Sequence, residues 1–484
     1  MSYRHFLTFL TGIAIQMGVS LTPAFASAPS PVMHLDADSL ETAPPPSNRG
    51  DGLGFMDGIS RSQTMFGDMW GVRPWLNQYG VTFSLLETSE VLGNITGGSH
   101  QSADYDGLTQ MDVQMDTQRA FGWYGGTANV SALQIHGRNL SADNLGTLQT
   151  SSGIEAERAT RLWEMWYQQK FLDEDRLDVK VGQQSLDQEF MTSTNSNYFV
   201  NTMFGWPMLP SANLPSGGPA YPLSALGVRA RGKPNDSLTV LGGVFNGSPA
   251  NKSGVNESGT GFPLDGGVLA IGEVQYAYPA LGSMVSADAS SPLSGTYKLG
   301  FWYDSEDFAD ERFGTDGLSL ANPASNGNPQ MHHGDFGLYA VADQMVWHSE
   351  NLDDRSLNFF TRLMGSPQVD RNLIDFSANV GLTLHEPIQL RDNDTIGIGM
   401  GYADVSNRVS AFDQDTAQAT PGSYTPIRSS ETFVEATYQY QATPWWQIQP
   451  DVQYVFNPGA GATDTNGQRI KNEAILGIRT NILF

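Results

Sequence analysis

The residues of this 484-residue chain that could act on a small polar solute stand at alternate positions along short stretches. Arg229 and Arg231 oppose Leu226, Val228 and Ala230. Glu164, Trp166, Lys180, Glu273, Lys298, Trp302, Arg362, Glu435 and Arg479 hold equivalent places in other stretches, with Asp112, Asp116, Lys170 and Phe360 beside them. Arginine offers several N–H donors in one plane and a carboxylate offers acceptors. Opposed pairs of this kind can take over the hydrogen bonds that water makes to a hydroxyl-rich solute, and an aromatic face can cover its C–H face. This is binding chemistry. The chain has no cysteine, so thiolate catalysis, disulfides and thiolate metal sites are excluded. It lacks Gly-x-Ser-x-Gly, P-loop and His-Glu-x-x-His patterns, and neither an enzyme nor a cofactor is expected. His332-His333 reads as a solvated loop pair. Asp104-Tyr105-Asp106-Gly107 and Asp392-Asn393-Asp394 lack the spacing of a calcium loop, so no metal site is assigned.

The stretches that position these residues have strand character. Sixteen are found: 81–93, 108–118, 126–138, 159–171, 176–184, 224–232, 238–246, 267–279, 295–304, 336–348, 356–365, 373–385, 394–404, 431–441, 445–457 and 473–484. In the last, Leu476, Ile478, Thr480, Ile482 and Phe484 oppose Gly477, Arg479, Asn481 and Leu483. Such alternation marks strands with unlike faces. Connections alternate between long (139–158, 185–223, 247–266, 305–335, 405–430) and short (119–125, 172–175, 233–237, 349–355, 386–393, 442–444). Segments 280–294 and 366–372 break the rhythm. Long loops at one end and tight turns at the other are the mark of an outer-membrane barrel. The fold expected is therefore all-β, a 16-stranded antiparallel transmembrane barrel with long extracellular loops and short periplasmic turns. Mean hydropathy is −0.30, which leaves no surplus for a dry core of this size. A water-filled lumen with a polar inner face is expected. Loop 185–223 carries Phe190, Tyr198, Phe199, Phe204, Trp206 and Tyr221, and either folds into the lumen or lies on the surface. Trp163 with Tyr167, Tyr276 with Tyr278, Tyr438 with Tyr440, and Trp445 with Trp446 would form interfacial girdles.

The ends of the chain agree with export. Arg4 and His5 precede an apolar stretch from Phe6 to Val19 and then Ala24-Phe25-Ala26, the form of a secretory signal covering 1–26. Residues 27–64 are Pro-rich and read as a periplasmic segment, with the barrel domain over 65–484. The balance of 26 Lys+Arg against 51 Asp+Glu argues against nucleic acid as a partner.

Several stretches resemble the carbohydrate-selective porins of the OprB type. Met65-Phe66-Gly67-Asp68-Met69-Trp70-Gly71-Val72-Arg73 with Leu76 and Tyr79-Gly80-Val81 is similar to the family's opening segment. Trp166-Tyr167-Gln168-Gln169, Val181-Gly182-Gln183, Gln188-Glu189-Phe190 and the run Pro222 to Arg229 follow in order. Ala342-Asp343-Gln344, the run Pro450 to Pro458 and the run Gly477 to Phe484 complete the series. The resemblance implies an outer-membrane channel passing monosaccharides and related small sugars by facilitated diffusion, with loops narrowing the lumen and Arg, acidic and aromatic side chains lining the narrow part. It implies a setting of outer-membrane lipid and lipopolysaccharide, and assembly machinery that reads the terminal Phe484. A monomer and a homo-oligomer both fit. Arg391-Asp392-Asn393-Asp394 departs from the Arg-Pro-Asp element of the family and leaves the substrate range open. The acidic surplus keeps a general or cation-preferring porin open, and a secreted β-rich carbohydrate-binding protein is the alternative of another class.

Overall fold

The computed structural model describes residues 63–250, 256–279, 293–349, 355–389, 391, 393–421 and 424–484. The signal segment and all but the end of the Pro-rich segment lie outside the described residues. Sixteen antiparallel strands form one closed barrel. They are β1 (Val81–Thr96), β2 (Ala103–Asp116), β3 (Gly126–Gly137), β4 (Ala159–Phe171), β5 (Leu177–Gln184), β6 (Ala225–Asn235), β7 (Leu238–Asn246) and β8 (Val268–Tyr278). The second half comprises β9 (Gly295–Gly314), β10 (Pro329–His348), β11 (Ser356–Gly365), β12 (Ile374–His385), β13 (Thr395–Val405), β14 (Ser430–Thr443), β15 (Trp446–Phe456) and β16 (Glu473–Leu483). Each strand pairs with the next, and β1 pairs with β16. Closure leaves no strand edge unpaired, which lipid demands. At the seam Glu90 faces Arg479 in register, with Nε 2.8 Å from Oε2. The outward positions are apolar: Val228, Val244, Leu299, Phe301, Ile398 and Ile478 are all exposed.

Three expectations are corrected. First, the 305–335 connection is mostly strand. β9 runs on to Gly314 and β10 starts at Pro329. Those extensions carry no apolar face, because a hairpin standing clear of the lipid needs none. His332-His333 therefore lies in β10 rather than a loop, with His332 Nε2 2.9 Å from Asp310. Similarly, the 405–430 connection holds a helix over Asn407–Ala419, capped by the Ser406 hydroxyl. Second, Trp163 is not a girdle residue. A register shift between Val130 and Ala132 turns it inward, edge-on to Tyr221 at 6.3 Å, while Tyr167 stays outside.

Third, the interior is not a plain water-filled lumen. The 185–223 connection enters the barrel, and Phe190, Phe199, Met203, Phe204 and Trp206 join Ile271, Trp302, Phe360 and Phe433 of the wall in one buried cluster. Mean hydropathy missed this core because lipid-facing and core positions draw on the same residue types. Glycines admit the rings. β13 alternates outward Ile396, Ile398 and Met400 with inward Gly397, Gly399 and Gly401. A Cβ on Gly397 would meet Phe199 at 2.8 Å, and one on Gly399 would meet Phe204 at 2.6 Å. Phe199 and Phe204 stack at 4.3 Å over this flat strip.

Gly399→Leu should overpack that strip and destabilise the barrel by about 1–3 kcal/mol. The check is the temperature at which the detergent-solubilised protein changes its electrophoretic migration. An unchanged temperature would show that the rings do not rest on β13.

Candidate functional site

An irregular segment inside a barrel brings backbone N–H and C=O groups that no ladder pairs, so side chains of the wall must do it. Arg362 is 1% exposed; it donates to the carbonyls of Met203 (2.5 Å), Gly205 (2.7 Å) and Met191 (3.3 Å). Glu435 accepts from the backbone of Val200 (2.6 Å) and Asn201 (3.0 Å). Glu273 accepts from Met191 N and from the Tyr339 hydroxyl, both at 2.9 Å. Lys298 donates to Thr192 O at 2.7 Å. Glu164 accepts from Ser185 N at 2.8 Å. Asp343 accepts from Ser193 Oγ (2.7 Å) and Asn195 N (3.1 Å). Arg479 links Glu90 of the seam to Ser152 Oγ at 3.1 Å. The 139–158 connection is tied in the same way: Glu431 accepts from Leu148 N (2.8 Å) and Gln149 N (2.7 Å).

On β4 to β6 the inward charges meet each other instead. Asp178 pairs with Arg229 and, at 2.7 Å, with Arg231. Glu189, from the inward loop, pairs with Lys180, and its Oε2 lies 2.6 Å from Arg229 Nε. Lys180 Nζ sits 4.5 Å above the Trp166 ring, whose indole N–H donates to Glu164 at 3.3 Å. Burial would raise the Glu189 carboxyl, but the Lys180 and Arg229 charges overcome it and hold it near 2. Arg231 keeps a third of its side chain exposed and Trp166 is half-buried. Arg229, Asp178, Lys180 and Glu164 are buried behind them, so this arc shows the lumen the Arg231 guanidinium, part of the Glu189 carboxylate and one aromatic face, opposite the dry core.

All eleven sequence candidates point inward, but they fall into two groups. Arg229, Arg231, Lys180, Trp166 and Glu164 converge on this arc. Glu273, Lys298, Arg362, Glu435 and Arg479 hold inward loops, and Trp302 is buried over Gly337. Of the others, Asp116 caps the Thr117–Phe121 helix, Lys170 pairs with Asp175, and Phe360 packs on Phe199 and Phe204. Asp178, Glu189 and Asp343 were missed as site residues. Glu189 stands in the family-like Gln188-Glu189-Phe190 run, which was the available signal. Asp178 lies two residues before Lys180, on the same strand face. Of the departing Arg391-Asp392-Asn393-Asp394 stretch, Asp392 lies outside the described residues; Arg391 holds Asp394 with two contacts of 2.8 Å and covers the Tyr440 ring at 4.0 Å.

The sequence model of the carbohydrate-selective porin, OprB family, matches residues 100–484. Porin B of Pseudomonas aeruginosa is 24% identical over 454 residues, spanning 87% of this chain and 92% of that protein. A putative porin, QuiX, of Acinetobacter baylyi is 22% identical over 413 residues, spanning 82% and 89%. Among solved structures, the high-pH form of Pseudomonas putida OprB superposes with a TM-score of 0.74 at 24% identity, covering 87% of this chain and 99% of that one.

Glu189→Gln should leave Lys180 and Arg229 short of one negative charge and shift the reversal potential of a salt gradient toward anions. The low Glu189 pKa fixes the pH range. The carboxylate's stabilising pairing is complete above its ordinary value near 4.5 and is lost only as pH falls through about 2. Wild-type selectivity should not change through titration of Glu189 between pH 7 and about pH 4.5. Equal reversal potentials for wild type and variant would remove Glu189 from the conducting path.

Proposed function

Since this chain belongs to the OprB family of carbohydrate-selective porins, and is thus an outer-membrane sugar channel, we infer that it passes monosaccharides and related small carbohydrates into the periplasm by facilitated diffusion. The observation that carries this reading is the arc of Arg229, Arg231, Lys180, Glu189 and Asp178 beside the Trp166 ring. Fixed donors and acceptors can replace a sugar's water shell one hydroxyl at a time, and the indole can cover its C–H face. Weak contacts at a wall whose charges are largely paired with one another let the sugar leave again, as conduction requires. Of the inward carboxylates, Glu273, Asp343, Glu431 and Glu435 are taken up by loop donors and are not free to draw cations. This favours the sugar-selective reading over a cation-preferring pore.

The finer setting follows from the outer surface. Apolar outward positions suit outer-membrane lipid. Phe484 directly follows the seam strand, packs on Phe66 at 5.3 Å between ring centres, and donates its N–H to Leu85 O at 2.9 Å. This rim position supports its reading as the signal for the assembly machinery.

Liposome swelling with glucose, arabinose, a disaccharide and amino acids of equal size tests the function. Glucose should enter faster than the equal-sized amino acids, and Arg231→Ala should cut that ratio about threefold to tenfold by removing a charged donor. Rates that fall with solute size alone would reduce the protein to a general porin.

A further inference from the structure

Below the inward loop, on the side of the short turns, the wall changes character. Six consecutive strands each contribute one inward residue at the same level: His385 (β12), Thr395 (β13), Gln439 (β14), Gln447 (β15), Asn481 (β16) and Thr88 (β1). Nearly every neighbouring pair is hydrogen-bonded. His385 Nδ1 is 3.0 Å from Thr395 Oγ1. Thr395 is the register partner of Gln439. Gln447 Nε2 donates to Gln439 Oε1 at 3.2 Å, Asn481 Nδ2 to Gln447 Oε1 at 2.8 Å, and Thr88 Oγ1 to Asn481 Oδ1 at 2.8 Å. The belt contains no Asp, Glu, Lys or Arg.

The row two residues further in is already committed to the inward loops. Thr383 donates to Asn195 at 2.8 Å, Gln449 to Tyr198 O at 2.8 Å, and Arg479 lies 3.4 Å from Val200 O. The belt is therefore the first row beneath the loop that still faces the passage, and His385, Gln439, Gln447 and Asn481 are only half-buried. A primary amide carries two donors and two acceptor lone pairs, so each keeps bonding capacity after meeting its neighbour. Mutual bonding also fixes the amide rotamers in advance, which lowers the ordering cost of binding. Tyr198 overhangs one end of the belt. Its carbonyl accepts from Gln439 at 3.4 Å, and its half-buried ring meets His385 edge-on at 4.9 Å.

We propose that this belt, with Tyr198 as its aromatic face, is a second carbohydrate-binding subsite, uncharged and on the periplasmic side of the inward loop. It rests on the reading of the chain as a sugar channel. A neutral amide row exchanges hydrogen bonds with hydroxyls at less cost than a charged one, because no ion has to be stripped of water. A sugar released by the Arg231 arc would thus be handed to weaker partners before it leaves. The belt carries no carboxylate, guanidinium or ammonium to attract an ion, so its effect is greatest on neutral polyhydroxylated solutes.

The test is glucose-dependent reduction of single-channel current in planar bilayers, with Gln447→Leu/Asn481→Leu and, in case that pair fails to give a heat-modifiable barrel, Gln447→Ala alone. The half-saturating glucose concentration should rise about threefold to tenfold, the effect of losing one or two neutral hydrogen bonds. The potassium chloride conductance should stay close to that of wild type. A saturable wild-type response that the belt variants leave unchanged overturns the belt and leaves the sugar channel standing. A wild-type channel that shows no saturable response to glucose or arabinose overturns the reading on which the belt rests.

Discussion

Everything inside this barrel depends on the pairing of backbone groups in a segment that has no regular structure. The 185–223 connection crosses a space closed off by strands, and each of its buried N–H and C=O groups needs a partner there. The wall supplies them with charged side chains, Arg362 to three carbonyls and Glu435 to two amides. A charged partner makes a shorter and stronger hydrogen bond than a neutral one. Removing one such partner would leave the other side buried and unpaired, at a cost of about 1–3 kcal/mol or more. The position of the loop follows from these anchors, and the shape of the passage follows from the loop.

This arrangement divides the lumen into unlike parts. On one side, rings of the loop lie against β11 to β14 with glycines beneath them, and water is excluded. On the other, β4 to β6 keep their charges for one another and for Glu189. The same residue types thus do opposite jobs a few strands apart. Arg362 on β11 is a structural bracket, whereas Arg231 on β6, held by the buried Asp178, stands at the edge of the passage.

The barrel was legible because lipid imposes a simple rule on every strand. Period-two alternation in β16 and the long–short rhythm of connections both follow from it, and the strand limits read from sequence lie close to those observed for most of the barrel. The rule lapses outside the lipid, so the polar extensions of β9 and β10 and the Asn407–Ala419 helix were not seen. It also lapses at a bulge, where Trp163 changed sides. For the site, alternation identified inward residues but not what they meet. Whether Arg362 touches a carbonyl or the passage depends on a loop some 160 residues away in sequence, and no local pattern carries that information. The Ile-Gly-Ile-Gly-Met-Gly run of β13 was the one local trace of the loop's seat, since an inward glycine in a strand marks a close approach.

The seam has a consequence for the order in which the molecule is completed. Arg479 belongs to the last strand, yet it reaches both Glu90 of the first strand and the loop residues Ser152 and Val200. The loops come early in the sequence, but some of their partners lie on β16. Their contacts are complete only once β16 is in place. A chain that stopped short of β16 would lack the closing strand and, in the same stroke, a fastening of its own filter.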